Sequence, residues 1–372
     1  MNVPIVSDLV GIVNKIAPPR FAEGWDNPGL QVGDPGVQVK RIMVALDASP
    51  ASVDAAISHR CNLLFTHHPL IFKPLKKLSS ADPDGSLLFR AIRNDLAIVA
   101  LHTNYDIASG GVNDLLAERL GLISAEPLQI TGSDELVKLC VFVPLGHEVQ
   151  VMEALFRFSG FIGNYSECSF RVAGTGTFRP LDGATPFIGE KGERASVGES
   201  RIEVLLRKTD LEAAVAALKK VHPYEEPAFD LYPLVNRGAS RGLGRIGELA
   251  AETTLREFAQ EAKQRLGAGG LRFVGDPARK VRRVALCGGS GASLLRDAYF
   301  RGADVLVTGD IKYHEARDAE GLGMALVDAG HFATERLMVQ GLADRIMREM
   351  ERLRYAVDTI PFAGEEDPFS YM

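Results

Sequence analysis

Cysteine is scarce in this 372-residue chain: the four present, Cys61, Cys140, Cys168 and Cys287, lie far apart with no CxxC pair. That spacing argues against a thiolate zinc site and against a disulfide framework, so all four are expected to be reduced thiols. Long apolar runs are missing too. No stretch approaches the ~20 apolar residues needed to span a bilayer, and Met1 to Arg20 carries no basic leader, so a cytoplasmic protein without membrane attachment is expected. Basic charge is short: 42 Lys and Arg against 48 Asp and Glu give a formal net charge of −6. The cations are scattered, so a nucleic-acid partner is not expected. What remains, 46% hydrophobic and 24% charged residues, is an ordinary globular composition with length for two or three compact domains.

The chain repeats itself. Gly29-Leu30-Gln31-Val32-Gly33-Asp34-Pro35 returns as Gly270-Leu271-Arg272-Phe273-Val274-Gly275-Asp276-Pro277 with one extra residue. Lys40 to Leu46 is then matched by Val281 to Leu286, and Asn62-Leu63-Leu64-Phe65-Thr66 by Ala303-Asp304-Val305-Leu306-Val307-Thr308. A third apolar run follows in each half, Leu96 to Leu101 and Met324 to Ala329, short and aliphatic as strands buried on both faces are. Segments of helical spacing separate the runs, among them Pro50 to Arg60, Gly85 to Asn94 and Ala292 to Arg301. The fold class expected is α/β: a duplicated core with helices packed on mostly parallel or mixed sheets.

Between the halves the pattern changes. Strands are expected at Leu136 to Val143, Ser169 to Phe178, Arg201 to Arg207 and Ala228 to Leu234, with helices at Glu148 to Phe158 and Leu211 to Val221. That order, βαββαβ, is the ferredoxin-like arrangement. Thr131-Gly132-Ser133 and Arg237 to Gly242 read as linkers. The expected division is therefore 1–129 for the first half of the core, 130–238 for an inserted ferredoxin-like α+β domain, and 239–372 for the second half.

In open α/β sheets ligands bind beyond the carboxyl ends of the strands. Here those positions read Thr66-His67-His68-Pro69, His102-Thr103-Asn104-Tyr105-Asp106 and Gly330-His331-Phe332-Ala333-Thr334-Glu335, and His314 follows another strand, so five of the eight histidines fall on one edge. His331 and Glu335 are four apart at the start of a helix expected to run through Leu337 and Met338, which places both on one face. His67 and His68 are adjacent where a strand turns, so their rings should diverge toward two different ions. The metal ligands expected are His67, His68, Asp106, His331 and Glu335. Bridging carboxylates from Asp106 and Glu335 would hold two divalent ions about 3.5 to 4 Å apart. Nitrogen and oxygen ligands suit Zn, Fe, Mn, Co or Ni without choosing among them. His102 and His314 are cast as groups that orient ligands, contact substrate or move protons; His59, His147 and His222 read as structural. Gly288-Gly289-Ser290-Gly291 opens a helix and could cradle an anion, whereas Asp47-Ala48-Ser49-Pro50 reads as a helix cap and the turn around Trp25 as packing.

On the motifs Trp25 to Gly33, Thr66 to Phe72, His102 to Asp106, Thr308 to His314 and Gly330 to Glu335, the chain resembles the Nif-three-like dinuclear metal centre family, often labelled GTP cyclohydrolase I type 2 homologs. The middle segment, ending His222-Pro223-Tyr224-Glu225-Glu226-Pro227, is similar to the PII-like or CutA-like insertion of the longer bacterial members. The resemblance implies the same five ligands and a toroidal homohexamer with dimetal sites facing an internal cavity. Two functions follow as expectations. One is a metal-dependent hydrolase acting on a nucleotide-like or pterin-like substrate. The other is a non-catalytic regulatory or metal-handling hexamer whose insertion senses a small molecule or partner.

Overall fold

The repeat is visible in the order of elements in a computed structural model, which describes residues 3–371. The first copy runs α1 (Val6–Ile16), β1 (Gly29–Val32), β2 (Arg41–Ala45), α2 (Pro50–Ser58), β3 (Leu63–Thr66), α3 (Pro83–Arg93), β4 (Ala97–Ala100), α4 (Thr103–Ile107) and α5 (Val112–Leu120). The middle segment runs β5 (Leu122–Pro144), α6 (Glu148–Phe156), β6 (Ser169–Phe178), β7 (Ala195–Arg207), α7 (Leu211–Val221) and β8 (Phe229–Thr254). The second copy follows as α8 (Leu255–Leu266), β9 (Arg272–Val274), β10 (Lys280–Leu286), α9 (Leu295–Phe300), β11 (Val305–Thr308), α10 (Tyr313–Gly321), β12 (Ala325–Asp328), α11 (His331–Glu335) and α12 (Leu337–Leu353), and β13 (Asp358–Pro361) closes the described chain.

Each copy builds the same four-stranded mixed sheet, but the fifth strand beside it differs. In the first the order is β1-β4-β3-β2-β13, with β2, β3, β4 and β13 parallel and β1 antiparallel to β4. In the second, β10, β11 and β12 are parallel, β9 is antiparallel to β12, and the last part of β8 is antiparallel to β10. The central strands β3, β4, β11 and β12 are buried along their whole length, which their aliphatic sequences permit only where helices cover both faces. Helix starts are set by local chemistry: Ser49 accepts the Ser52 N–H at 3.2 Å with Pro50 behind it, and Thr254 and Glu257 close a reciprocal capping box.

The two copies interlock through the helices that follow their last strands. Leu116, Ala117 and Leu120 of α5 leave the first sheet and join the core of the second with Phe258, Ala262, Val305 and Val307. In return, Met338, Leu342, Ile346 and Met350 of α12, one stripe at four-residue spacing, pack on Ile42, Val44, Leu63 and Phe65 of the first sheet. Both copies therefore fall in one compact unit, residues 1–131 with 241–372.

Residues 132–240 form the other compact unit. Here β7 lies between β6 and β5, antiparallel to both, and Leu139, Val141, Ile202, Val204 and Leu206 bury against Val151 and Leu155 of α6 and Ala214 and Leu218 of α7.

Several expectations need correction. Thr131-Gly132-Ser133 and 237–242 are not coil linkers but lie inside β5 and β8. Gly238 and Gly242 serve close strand approach, since a Cβ on Gly242 would fall 1.7 Å from the Gln129 carbonyl oxygen and one on Gly238 2.9 Å from Asp134 Cβ. The helix expected over Ala292 to Arg301 is a 3-10 turn, Ala292–Leu294, followed by the short α9. The single helix expected from His331 onward is two, because at Arg336 the backbone ladder tightens from a four-residue step (Arg336 N–H to Phe332) to a three-residue step (Val339 N–H to Arg336). Among the described residues no helix is long and apolar enough to cross a membrane.

Leu342, fully buried between α12 and the first sheet, tests the interlock. Leu342→Ala is expected to destabilise the protein by about 2–5 kcal/mol, read from the shift in urea denaturation midpoint.

Candidate metal centre

The carboxyl ends of β3, β4 and β12 bring four histidines together. The chain kinks after β3 as the backbone N–H groups of His67 and His68 both donate to the Leu46 carbonyl, at 3.0 and 3.1 Å. His102 precedes the first turn of α4, with Asp106 one turn on, and His331 opens α11, with Glu335 one turn on. The two copies thus present the same histidine-to-carboxylate spacing at equivalent places. Ring centroids lie 5.0 Å apart for His67 and His68, 5.2 Å for His67 and His102, and 5.3 Å for His68 and His331.

Each of the four imidazoles is fixed through Nδ1. That of His67 donates to the Leu101 carbonyl at 2.8 Å, and those of His68, His102 and His331 donate to carboxylates of Asp47 (2.8 Å), Asp26 (2.8 Å) and Asp310 (2.7 Å). A carbonyl can only accept, so neutral His67 carries its proton on Nδ1 and turns a bare lone pair inward at Nε2. Such outer partners orient a histidine for metal binding and raise its basicity.

The inward atoms are acceptors facing acceptors. His67 Nε2 lies 3.6 Å from both Asp106 Oδ1 and Glu335 Oε1. Glu335 Oε2 lies 3.1 Å from His68 Nε2 and 2.9 Å from His331 Nε2, and those two nitrogens are 3.3 Å apart. Glu335 therefore turns one oxygen to each side of the cluster. The candidate ligand atoms of His67, His68 and His102 lie within 4.8 Å of one another, as do those of His68, His331 and Glu335. His67 is wholly buried and Glu335 nearly so, and His67 Nε2, Asp106 Oδ1 and Glu335 Oε2 lack a well-formed hydrogen bond. Orphaned acceptors converging in a buried space demand cations, either protons or metal ions, and the donor set fits divalent metal.

The electrostatics show what happens when only protons are present. Burial works against a charged His68, but hydrogen bonds to Asp47 and Glu335 outweigh it and push the imidazole up to about 10. The Glu335 hydrogen bond and charge push His331 up to about 9. Burial raises Asp106 to about 6, while Glu335, despite its own burial, is held well below the ordinary carboxylate range by His67, His331 and His68. Burial likewise opposes ionisation of Asp26, yet the His102 and Thr103 hydrogen bonds win and hold it at about 2.

Loop 288–291 is built for Glu335. A Cβ on Gly289, whose φ is +59°, would fall 2.1 Å from Glu335 Oε1 and 3.1 Å from His331 Nε2. The loop is not the free anion cradle that its glycines suggest in sequence, since the N–H groups of Gly288, Gly289 and Gly291 are spent on Asn113, Thr334 and Thr308 side chains. Of the two histidines expected to move protons, His102 sits inside the cluster. His314 is exposed at the start of α10, where its recorded ring contact is with Tyr313. The sequence alone does not single out Asp26, Asp47 or Asp310 as partners of these rings. Asp47 had read as part of a helix cap, but Ser49 does the capping.

Beside His68 and His331 opens a cavity of about 900 Å3, lined also by Lys263, Arg272, Phe332, Phe369 and Tyr371. Asp47, Asp310, Asp328, Glu366 and Asp367 share that lining, so the cavity repels an anion until cations are bound beside it.

Comparison with known proteins decides the family. The family model Duf34/NIF3 (NGG1p interacting factor 3) matches residues 4–368. The chain belongs to the Duf34/NIF3 family. Within it, a Bacillus subtilis protein named GTP cyclohydrolase 1 type 2 homolog is 42% identical over 365 residues, covering 98% of each chain. A Mycobacterium tuberculosis protein of the same name is 39% identical over 335 residues, covering 89% of this chain and 88% of that one. Among solved structures, a Bacillus cereus protein related to NIF3 is 41% identical with a TM-score of 0.93, and a Staphylococcus aureus protein is 31% identical with a TM-score of 0.74, both covering 100% of each chain.

Two measurements probe the centre. A pKa raised in the folded state gives stability that is fully present below the unfolded value and is lost as pH rises through the folded value. Metal-free protein should therefore lose thermal stability between an ordinary histidine's 6.5 and the 9 to 10 of His331 and His68, and metal-loaded protein should not, as melting temperature against pH will show. Gly289→Ala should displace Glu335 and strip most metal while the far-ultraviolet circular dichroism stays native, with metal read by elemental analysis.

Proposed function

We propose that this protein holds two divalent metal ions between its two core copies and uses them as a hydrolase on a nucleotide-like or pterin-like substrate. The observation that carries the reading is the convergence of four Nδ1-fixed imidazoles on two carboxylates, where buried His67 Nε2 and Asp106 Oδ1 have no hydrogen-bond partner. Glu335 would be shared, with His68 and His331 on one side and His67 and Asp106 on the other, and His102 stands beside His67 as the imidazole outside the ligand set. Two divalent ions held there would supply Lewis-acid polarisation of a substrate oxygen and would neutralise developing negative charge.

The residues around the centre do the rest. Lys263, Arg272 and the rings of Phe369 and Tyr371 offer cations and flat apolar faces to a phosphorylated heterocycle. Arg272 is already braced on Asp328 at 2.7 Å, so it is held ready in the cavity wall. His102, fixed on Asp26, is the imidazole placed to accept a proton at the centre, and Thr103 holds Asp26 in line by donating to its other oxygen. The name GTP cyclohydrolase 1 type 2 homolog, carried by the B. subtilis and M. tuberculosis relatives, agrees with a purine nucleotide as the class to test first.

We also read the inserted unit as ferredoxin-like, similar to PII or CutA domains, because its elements follow the order βαββαβ. For the assembly we propose the toroidal homohexamer that the sequence resemblance implies.

Replacing His331 and Glu335 together by Ala should remove most metal, whereas His222→Ala should leave it in place. Metal-loaded wild-type protein should release formate or phosphate from a member of a nucleotide and pterin panel, and the double variant should not. Full metal content in the double variant would remove the site assignment. Metal loss without turnover by the wild type would sink only the hydrolase.

A further inference from the structure

The inserted unit contains a cavity of its own, unconnected with the histidine cluster in chemistry. It measures about 380 Å3, within the size range of small-molecule sites. Phe142, Phe178, Phe187 and Tyr224 line it, and Tyr224 lies 5.7 Å from Phe178 and 6.3 Å from Phe187, centroid to centroid. The loop that carries Phe187 is tied down, because the Thr185 N–H donates to Glu225 at 2.9 Å.

At the base of this aromatic cavity stands a carboxylate. Glu199 of β7 is only 8% exposed and accepts the Tyr224 hydroxyl at 3.0 Å. Room for it is kept by Gly176 of β6, where a Cβ would fall 1.9 Å from Glu199 Oε2. The ion pairs of this unit lie elsewhere, among them Lys138 and Arg201 on Glu203, Arg207 on Asp210 and Lys208 on Glu135, and among the described residues no Lys or Arg pairs with Glu199. His222 supplies no charge either. Its Nε2 donates to the Phe142 carbonyl at 3.0 Å and its Nδ1 accepts the Tyr224 N–H at 3.1 Å, which uses both nitrogens of a neutral ring. Burial lowers its pKa in the same sense. At the mouth, exposed Glu225 and Glu226 outweigh exposed Arg179.

A largely buried carboxylate with no cation is costly to maintain, and an incoming cation relieves the cost. Aromatic faces around such a carboxylate are the environment that favours organic cations. We propose that this cavity binds a small organic cation, with an ammonium or amidinium head on Glu199 and a flat apolar body among Phe178, Phe187 and Tyr224. The carboxylate-rich lining excludes anionic ligands, so the occupant differs in class from a nucleotide bound at the metal centre.

The test is calorimetric titration of full-length, metal-loaded protein with phenethylamine and benzamidine, and with phenylacetate and 2-phenylethanol as anionic and neutral counterparts. At least one of the two cations should bind saturably while phenylacetate does not. Glu199→Gln keeps an acceptor for Tyr224 and should weaken that binding at least about tenfold. Phe187→Ala, at an exposed position, should weaken it several-fold without disturbing the fold and serves alone if the Glu199 variant does not fold. Failure of both cations to saturate, equal binding of phenylacetate, or cation binding unchanged in the variants would overturn the proposal. Metal content, read in parallel, is expected to be unchanged throughout, so the result stands apart from the dimetal reading.

Discussion

Acceptors without donors govern this molecule. Lone pairs of imidazoles and carboxylate oxygens meet in a space from which most water is excluded, and every residue that orients them does so from the outside, leaving the inside to cations. The loop at 288–291 is glycine so that Glu335 has room, the chain kinks after β3 so that His67 and His68 face different oxygens, and Asp26, Asp47 and Asp310 stand behind the rings. Such a set of repulsive neighbours is tolerable only because packing elsewhere holds them.

That packing is the exchange of helices between copies. Had α5 and α12 each folded back on their own sheet, the two copies would be independent, and α4 and α11 would have no reason to meet. Crossing over forces the short helices α4 and α11, which lead into the crossing ones, to lie at the junction, and these are the helices that carry Asp106 and Glu335. Duplication thus supplies two equivalent sets of strand ends, and exchange brings them face to face.

Much of this was legible in the sequence for a simple reason. Strands buried on both faces are continuous aliphatic runs, so Leu63 to Thr66, Val305 to Thr308 and their partners stand out, and the residues just beyond them fall on one edge. The gathering of His67, His68, His331 and Glu335 follows from that. What was illegible depends on partners distant in the chain. Asp26 meets His102 from 76 residues away, and nothing local distinguishes it from any aspartate in a turn. Gly238 and Gly242 look like linker because glycine is read as flexibility, whereas here each admits a close neighbour from β5. Register misled more subtly: the repeat aligns Leu46 with Leu286, but Val44 opposes Phe65 as Leu286 opposes Val307, a slip of two residues. In a strand such a slip returns every side chain to the same face, so hydrophobic pattern is blind to it.

The exchange has a temporal side. His68 and His331 are separated by 263 residues, and β13 pairs with β2 in parallel, with Arg41 and Asp358 meeting across 317. The first copy, though made first, stays incomplete on one face and at one edge until nearly the last described residues have been synthesised. Folding of this kind rests on distant contacts and is correspondingly slow. A nascent chain exposes the first sheet's aliphatic face throughout, and the complete centre exists only in a finished molecule, so ion uptake there would report that assembly has ended.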